Sequence, residues 1–535
     1  MSVNRELTDR QYRLKSRLFK QGKKMSQKTS EGDYEIVAPG ASAMIESLRA
    51  YGYSLNTAIA DLVDNSISAR AKNVWIHMHW EGEKSRISII DDGYGMDAKS
   101  LMNAMRPGSQ NPLDERSEDD LGRFGLGLKT ASFSQCRSLT VASHVNAGET
   151  YYRRWDLDYV GRHNQWRLLK TARNGSEKLF SKLTELEHGT TVLLEHMDRI
   201  CDGQDKGDES YRRKFMDRIS SLQHHLSMVF HRFLEGRDGL NIYINGQGDE
   251  HKLKPWDPFV SSHIATQKQP SERKSFYDGV VEVEGHVLPH KDKLGPSEHE
   301  QAAGPNGWND QQGFYVYRNK RLLVAGSWLG LGGRRHGWAK EEHYKLARIK
   351  IDIPNRMDST WQIDVKKSTA VPPAIAAVWL EDYAEKVRKE ARSAFSHRGK
   401  YGSREKSEHM TRLWMTGARS GSQIYRIDRS NDLVSGLLKR AGDLKPEIEA
   451  LFRLLEETVP VQQIWLDMAE YSERSNEPMG GLTEKQIMNL VETTIKSLSG
   501  EGRKPSITTI EFVCNMEAFV NYADIIQAKY SGVEN

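Results

Sequence analysis

Apolar residues between positions 55 and 67 recur at intervals of three or four, which predicts a helix with one buried stripe. The apolar positions are Leu55, Ala58, Ile59, Leu62, Val63 and Ile67. Three polar side chains, Asp61, Asn65 and Ser68, share the opposite stripe. Because residues four apart lie on one helix face, the carboxylate of Asp61 and the amide of Asn65 are predicted to point to the same place.

Two strands are predicted after this helix. Residues 74–80 and 86–90 have strand-like patterns on either side of the turn-forming segment 81–84, and the second strand runs straight into Asp91. Further strands are predicted at 139–143, 151–158 and 189–194. Together these segments favour a mixed sheet with helices on one face and a polar site at a strand end.

A second α+β domain is predicted beyond a long helix at 211–234. Its strand patterns lie at 240–244, 279–287, 313–317 and 347–353. The chain from Pro372 onward is mostly helical, so the fold class is α+β. The predicted divisions are a basic N-terminal arm (1–40), a first domain (41–235), a second domain (236–372) and a helical C-terminal region (373–535).

Composition limits the classes of protein to which the chain can belong. Its 535 residues suffice for about three domains. No uninterrupted apolar run reaches roughly 18 residues, and no apolar stretch follows the basic residues at the start, so no membrane span, no secretory signal and a cytoplasmic location are predicted. The three cysteines, Cys136, Cys201 and Cys514, are far apart and match no zinc spacing or disulfide framework.

The net charge of +4 is unevenly distributed along the chain. Residues 1–30 contain nine lysines and arginines against two acidic residues, and the stretch 397–419 is also basic. Such segments are either solvated surface or contacts to nucleic-acid phosphates. No sequence-reading module is visible, so any binding of duplex DNA is predicted to depend steeply on salt and little on base sequence.

A nucleotide pocket is predicted where Asp91-Asp92-Gly93-Tyr94-Gly95-Met96 follows the second strand. Asp91 supplies the acceptor that the exocyclic amine of adenine needs, and Gly93 and Gly95 let the backbone turn beneath the base. Thr190 adds a hydroxyl that bonds the base directly or through water.

Phosphate and metal contacts are predicted on the neighbouring helices. Asn65 offers a neutral oxygen to Mg²⁺, and Asp61 is placed to orient or deprotonate an attacking water. The glycines of Gly122-Arg123-Phe124-Gly125-Leu126-Gly127-Leu128-Lys129 lead into a helix N-terminus that holds phosphate oxygens, and Lys129 adds a positive charge. The charged stretch 107–121 is predicted to close over the nucleotide as a lid.

In this order and spacing, the segments resemble the motifs of the GHKL ATPases, the superfamily of DNA gyrase, the ninety-kilodalton heat-shock chaperone, histidine kinases and MutL. The first, second, third and last motifs of that superfamily resemble, in turn, residues 60–66, 91–96, 122–132 and 189–190 of this chain. The Asp-Asp-Gly-x-Gly-Met and Phe-Gly-x-Gly-x-Lys-Thr-Ala-Ser forms most resemble those of MORC-type ATPases. Residues 314–322 also resemble a transducer-domain segment of MORC and MutL relatives, so the resemblance covers roughly residues 40–375.

The resemblance implies a fold, a cofactor set and a group of site residues. It implies a Bergerat-type α/β sandwich followed by a ribosomal protein S5-like transducer domain, which sends a lysine, Lys366 or Lys367, to the terminal phosphate. The residues implied to bind ATP and Mg²⁺ are Asn65, Asp91, Gly93, Gly95, Met96, Gly122, Arg123, Phe124, Gly125, Leu126, Gly127, Lys129 and Thr190. Asp61 and one of the two lysines are implied to act in hydrolysis, and Asn65 is the implied metal ligand.

The resemblance also implies what the ATPase does. In MORC and MutL relatives the ATP-bound state dimerises, which implies a nucleotide-gated homodimeric clamp. Bacterial proteins of this architecture are similar to components of DNA restriction or phage-defence systems, so duplex DNA and protein partners of such a system are implied. The alternatives are a chaperone-like ATPase acting on client proteins and a binding-only ATP switch. A histidine kinase is disfavoured because no dimerisation helix with an acceptor histidine precedes the pocket.

Two departures from the family pattern concern hydrolysis. Asp61 stands where most hydrolysing relatives have glutamate, and Ser68 stands where they often have aspartate. Since the aspartate side chain is one methylene shorter than glutamate, hydrolysis is predicted to be slow. The glycine run also differs from a P-loop, because Leu128 lies between the last glycine and the lysine.

Overall fold

The computed structural model describes residues 37, 39–109, 127–146, 148–201, 208–236, 239–276, 279–333, 337–396, 411–419, 422–464, 479, 481–500 and 504–531. Nearly all of the predicted basic arm, most of the predicted lid and most of the basic stretch 397–419 lie outside these residues. So do Gly122, Arg123, Phe124, Gly125 and Leu126 of the predicted phosphate loop. The chain divides into two compact units, Met1–Ser396 and His397–Asn535.

A six-stranded sheet forms the centre of the N-terminal part of the first unit. Its strands are β1 (Asn73–His79), β2 (Arg86–Asp91), β3 (Ser138–His144), β4 (Tyr151–Asp156), β5 (Gly189–Glu195) and β6 (Asn241–Ile244). The strand order is β4-β3-β5-β2-β1-β6, and every neighbouring pair is antiparallel except the parallel pair of β1 and β6. The mixed sheet and the α+β class predicted from the sequence are confirmed.

Helices pack on this sheet through apolar stripes. They are α1 (Ala41–Arg49), α2 (Leu55–Ser68), α3 (Ala98–Met105), α4 (Gly127–Phe133), α5 (Leu157–His163), α6 (Ser181–Thr184), α7 (Asp198–Cys201), α8 (Glu209–Val229) and α9 (His231–Leu234). In α2, Ile59, Leu62 and Val63 are buried in the same core as Ile76 of β1 and Ile89 of β2. Burial of this stripe orients the opposite, polar stripe of α2 towards the end of β2.

A smaller core lies on the other face of the sheet. Ala142 of β3 and Leu193 of β5 pack with Phe180 and Leu183 from the segment that contains α6, whereas their chain neighbours in each strand point to the main core. The sequence predicts helices on one face only. Because α6 has four residues, the three-to-four periodicity that reveals longer helices cannot appear in it.

The strand predicted at 240–244 belongs to the first sheet and not to the second domain. The sequence pattern assigns it to the second domain, but β6 completes the edge of the first sheet beside β1. A parallel pair needs a long crossover connection. The chain reaches this edge from β5, past β2 and β1, through the segment that contains the 21-residue helix α8.

A second sheet follows within the first unit. Its strands are β7 (Gln267–Lys268), β8 (Glu272–Phe276), β9 (Gly279–Val287), β10 (Gly313–Arg318), β11 (Arg321–Ser327) and β12 (Ala347–Ile353), in the order β11-β10-β12-β9-β7, with β8 also paired to β9. Its helices are α10 (Pro296–Ala303), α11 (Gly307–Asp310) and α12 (Ala374–Ser396). The stripe formed by Ala376, Leu380, Ala384, Val387 and Ala391 buries α12 in the same core as β9 and β12.

The second unit contains a hairpin and a helical core. Its elements are β13 (Trp414–Arg419), β14 (Ser422–Ile427), α13 (Asp432–Arg440), α14 (Lys445–Glu457), α15 (Glu484–Ser499), α16 (Ile507–Cys514) and α17 (Ala523–Lys529). Val491, Ile495, Val513 and Ile526 lie in its core. The sequence does not predict the hairpin, because polar residues and glycine interrupt its apolar pattern. No helix in the described part of the chain is long and apolar enough to cross a membrane.

Candidate nucleotide-binding site

A cavity of about 340 Å³ lies at the polar end of β2 in the first unit, within the size range of small-molecule sites. It is bounded by α2, the start of α4, the start of β5 and the segment 363–367. The predicted site residues that line it are Asp61, Asn65, Asp91, Gly95, Met96, Gly127, Lys129, Thr190 and Lys367, whereas Gly93 and Lys366 do not. Tertiary folding thus brings the side chains of Asp61 and Lys367, which are 306 positions apart in the chain, into contact.

Asp91 provides a buried acceptor at the base of this cavity. Its Oδ1 accepts a hydrogen bond from the backbone N–H of Gly93 at 3.0 Å, and its Oδ2 accepts one from the hydroxyl of Ser66 at 2.9 Å. Burial raises the pKa of this carboxyl to about 6. An ionised carboxylate accepts about four hydrogen bonds, so Asp91 retains capacity for a donor in the cavity.

The two glycines after Asp91 are required by protein neighbours. Gly95 has a φ of +67°, and a Cβ there would lie 1.8 Å from the carbonyl oxygen of His144. At Gly93, a Cβ would lie 2.7 Å from the Cβ of Ala69 at the end of α2. The close contacts at this turn are therefore to the end of α2 and to β3, and Asp91 is hydrogen-bonded to Ser66 of α2.

Thr190 lies directly opposite Asp91 in the pairing of β5 with β2. Its hydroxyl is 2.9 Å from the hydroxyl of Ser143, which also lies 2.8 Å from the carbonyl oxygen of Gly189 and accepts a hydrogen bond from the backbone N–H of Met96 at 2.8 Å. Ser143 is a residue that the sequence motifs do not identify. It orients the hydroxyl of Thr190 beside the acceptor.

Asp61, which lines the cavity, and Asp64, three residues later in α2, form a buried pair of carboxylates. The Nζ of Lys367 lies 3.1 Å from Oδ1 of Asp61 and 2.6 Å from Oδ2 of Asp64. The Nε of Arg321, at the start of β11, lies 3.0 Å from Oδ1 of Asp64. The second sheet and the segment after it therefore supply two cations to α2. Lys367 has a φ of +53°, a backbone conformation that is uncommon for lysine.

The pKa values of the two carboxyl groups, Asp61 and Asp64, are shifted in opposite directions. Burial raises the pKa of Asp61 against the opposing charge of Lys367. Although burial also acts on Asp64, Arg321 and Lys367 together lower the pKa of that carboxyl. Asp61 is consequently the better proton acceptor of the two, because a base is most effective when its pKa approaches the working pH.

Two residues that the sequence did not predict as site residues lie at or next to the cavity. The hydroxyl of Tyr53 lies 2.9 Å from Oδ2 of Asp61, and Arg318 lines the cavity from the end of β10. Arg318 is held by a buried ion pair with Asp358 at 2.5 Å. The basic turn between β10 and β11 is a signal for Arg318 and Arg321, whereas no pattern in the sequence points to Tyr53.

Lys129 and Asn65 occupy the sides of the cavity. The Nζ of Lys129 donates a hydrogen bond to the carbonyl oxygen of Ala104 at 2.9 Å, and burial lowers the pKa of this lysine to about 8. Asn65 is exposed to the cavity one helical turn after Asp61.

The donor set fits a magnesium ion carried by a nucleotide. No group of three or more histidine, cysteine, aspartate or glutamate side chains that could hold a metal occurs among the described residues. Mg²⁺ on a nucleotide keeps phosphate and water oxygens and needs only one or two protein ligands. The amide oxygen of Asn65, facing the cavity, is of the required kind.

Comparison with known families agrees with this geometry. Residues 53–190 match the family described as "Histidine kinase-, DNA gyrase B-, and HSP90-like ATPase". The matched segment begins at Tyr53 and ends at Thr190, so it contains α2, the Asp91 turn and the start of β5. No curated protein shows significant sequence similarity to the chain. The chain therefore contains a domain of the GHKL ATPase superfamily, which supplies the part of the cavity that contains Asp91 and Thr190.

Proposed function

We propose that the protein hydrolyses ATP and that nucleotide binding changes the contact between the GHKL domain and the second sheet. The observation that carries this proposal is the position of Lys367. Lys367 lines the cavity and its ammonium group pairs with both Asp61 and Asp64, although it belongs to the segment that follows the second sheet. A cation in this place couples that segment to whatever charge the cavity contains.

Each residue has a distinct role in the proposed reaction. Asp91 accepts a hydrogen bond from the adenine amine, and Thr190 contributes its hydroxyl beside it. Lys367 exchanges its two carboxylate partners for the terminal phosphate, whose oxygens carry more charge than either carboxylate. Asp61 then takes a proton from the attacking water as the bond between the terminal phosphorus and the bridging oxygen breaks, which gives ADP and phosphate. Mg²⁺ held by Asn65 would neutralise phosphate charge in this reaction.

We propose further that two copies associate through their ATP-bound domains to form a clamp in the cytoplasm. This part of the proposal rests on the resemblance to MORC and MutL relatives. The nine basic residues within positions 1–30 favour duplex DNA as the partner of the clamp, in a bacterial restriction or phage-defence system.

The proposed clamp is tested by measuring ATP turnover and oligomeric state with ATP or a non-hydrolysable analogue, with and without duplex DNA. We expect dimers only when nucleotide is present and faster turnover when DNA is added. A protein that remains monomeric with ATP would contradict the clamp. Stimulation by an unfolded protein, with no effect of DNA, would instead support the chaperone-like alternative.

The adjacent lysines provide a matched pair of variants for the role of Lys367. Lys367→Met is expected to lower kcat about 100-fold, because it removes a cation that faces the terminal phosphate. Lys366→Met is expected to change kcat less than about twofold, since Lys366 does not line the cavity. Phosphate release is measured for both variants, with thermal unfolding as the check of folding. Equal effects of the two substitutions would refute this assignment.

A further inference from the structure

Tyr53 lies in the turn before α2 and is buried against the domain core. Its ring belongs to a small cluster with Ala58 and Ala131, and its backbone oxygen accepts a hydrogen bond from Nε2 of Gln135 at 3.0 Å. These contacts hold the ring in one place. The hydroxyl is therefore delivered to a defined point near the cavity.

The hydroxyl of Tyr53 has two acceptors on different parts of the chain. Oδ2 of Asp61 lies 2.9 Å away, and the backbone oxygen of Val365 lies 3.2 Å away. Burial raises the pKa of Tyr53 far above its usual range, so the hydroxyl keeps its proton. A phenol has a single proton, and the shorter distance favours its donation to Asp61. The second acceptor lies two residues before Lys367.

We propose that Tyr53 is a positioning residue for Asp61, directing the carboxylate towards the attacking water and linking it to the segment that carries Lys367. This inference rests on the proposed role of Asp61 as the base. It assigns different tasks to the two carboxylate oxygens. Tyr53 binds Oδ2, whereas Lys367 occupies Oδ1 and leaves it when it moves to a terminal phosphate. Oδ1 is then the oxygen that accepts the proton.

A hydrogen-bond donor on Oδ2 restrains the orientation of the Asp61 carboxylate. In the described structure the carboxylate has Lys367 on one oxygen and Tyr53 on the other. Once Lys367 has moved, the hydroxyl of Tyr53 is the remaining one of these two donors. A donor whose ring is fixed by packing keeps the carboxylate from rotating about its terminal torsion, which is otherwise broad.

The test compares Tyr53→Phe with the unchanged protein. The charged and titratable groups around Asp61 are Tyr53, Asp64, Lys367 and Arg321. Because the hydrogen bond from Tyr53 stabilises ionised Asp61, its loss raises the pKa of the base. The acid limb of the kcat profile is then expected to move about one unit to higher pH. We expect kcat to fall about tenfold and KM for ATP to stay within about twofold.

Tyr315→Phe is the matched control, since the hydroxyl of Tyr315 is also buried but donates to Gln311, away from the cavity. It is expected to leave kcat and its pH profile unchanged. If Tyr53→Phe leaves kcat unchanged, or lowers it without moving the acid limb, the inference is overturned.

If Tyr53→Phe does not bind a non-hydrolysable ATP analogue, its low turnover says nothing about Asp61, and a second variant is used instead. Replacing Tyr53 with 3-fluorotyrosine keeps the ring and strengthens the donor, so the acid limb is expected to move to lower pH. An unmoved limb in this variant overturns the inference. Asp61→Asn separates the role of Asp61 as the base from the role of Tyr53. Unchanged turnover in Asp61→Asn would refute the assignment of Asp61 as the base. Reduced turnover in Asp61→Asn, together with unchanged turnover in Tyr53→Phe, would refute only the positioning role of Tyr53.

Discussion

Asp61→Asn is expected to lower ATP turnover at least about 100-fold, the usual contribution of a general base. Asparagine has the same shape as aspartate and its oxygen still accepts the hydrogen bond from Tyr53, but it takes no proton from water. Affinity for a non-hydrolysable analogue is expected to stay within about threefold, because the proposed role of Asp61 is on the attacking water and not on the nucleotide. Phosphate release and calorimetric titration of the analogue measure the two quantities.

Asp97→Asn is the matched control for this substitution. Asp97 is exposed, does not line the cavity and caps α3 through the backbone N–H of Ser100. Asparagine caps helices as well as aspartate does, so turnover should not change. Undiminished turnover in Asp61→Asn would show that another group accepts the proton, and would leave the chain with a different catalytic base.

Asp91→Asn is expected to weaken nucleotide binding about 100-fold, which corresponds to the loss of a hydrogen bond to a charged acceptor. The carboxylate already accepts hydrogen bonds from Gly93 and Ser66 through different oxygens. An amide has one oxygen, so its NH₂ group must replace the acceptor of either the Gly93 N–H or the Ser66 hydroxyl. On whichever side the NH₂ group also faces the adenine amine, two hydrogen-bond donors oppose each other. Titration with the non-hydrolysable analogue measures the loss of affinity.

Thermal unfolding of Asp91→Asn shows whether a loss of nucleotide affinity comes from misfolding. Because burial raises the folded-state pKa of Asp91 to about 6, the ionised carboxyl destabilises the fold at neutral pH, and asparagine removes that cost. The temperature of unfolding should therefore not decrease. If the variant unfolds at the same temperature and binds nucleotide as tightly as the unchanged protein, Asp91 is not the adenine acceptor.

The separation of binding from hydrolysis follows from where the two aspartates lie. Asp91 is at the end of a strand, opposite Thr190, and its neighbours belong to the GHKL domain. Asp61 is beside Asp64, whose partners Arg321 and Lys367 come from the second sheet and the segment after it. The proposed contacts to adenine thus belong to one domain, whereas the proposed turnover depends on contacts between that domain and the second sheet.

Local pattern was sufficient for the elements that carry the adenine end of the cavity. The three-to-four spacing of Ile59, Leu62 and Val63 predicts α2, and the strand before Asp91 follows from its residues, because these signals act within one helix or strand. Pattern was insufficient for the hairpin of β13 and β14, where polar residues obscure the alternation, and for α6, which is too short to show a period.

The sequence by itself determined the α+β class, the helix that carries Asp61 and Asn65, and the placement of Asp91 and Thr190 at strand ends. Only the tertiary structure decided which lysine enters the cavity. Lys366 and Lys367 are neighbours of the same type, and it is the backbone conformation at Lys367 and the buried carboxylates 303 and 306 residues away that distinguish them. Spacing along the chain contains no information about such contacts, because they form only when the second sheet packs against α2.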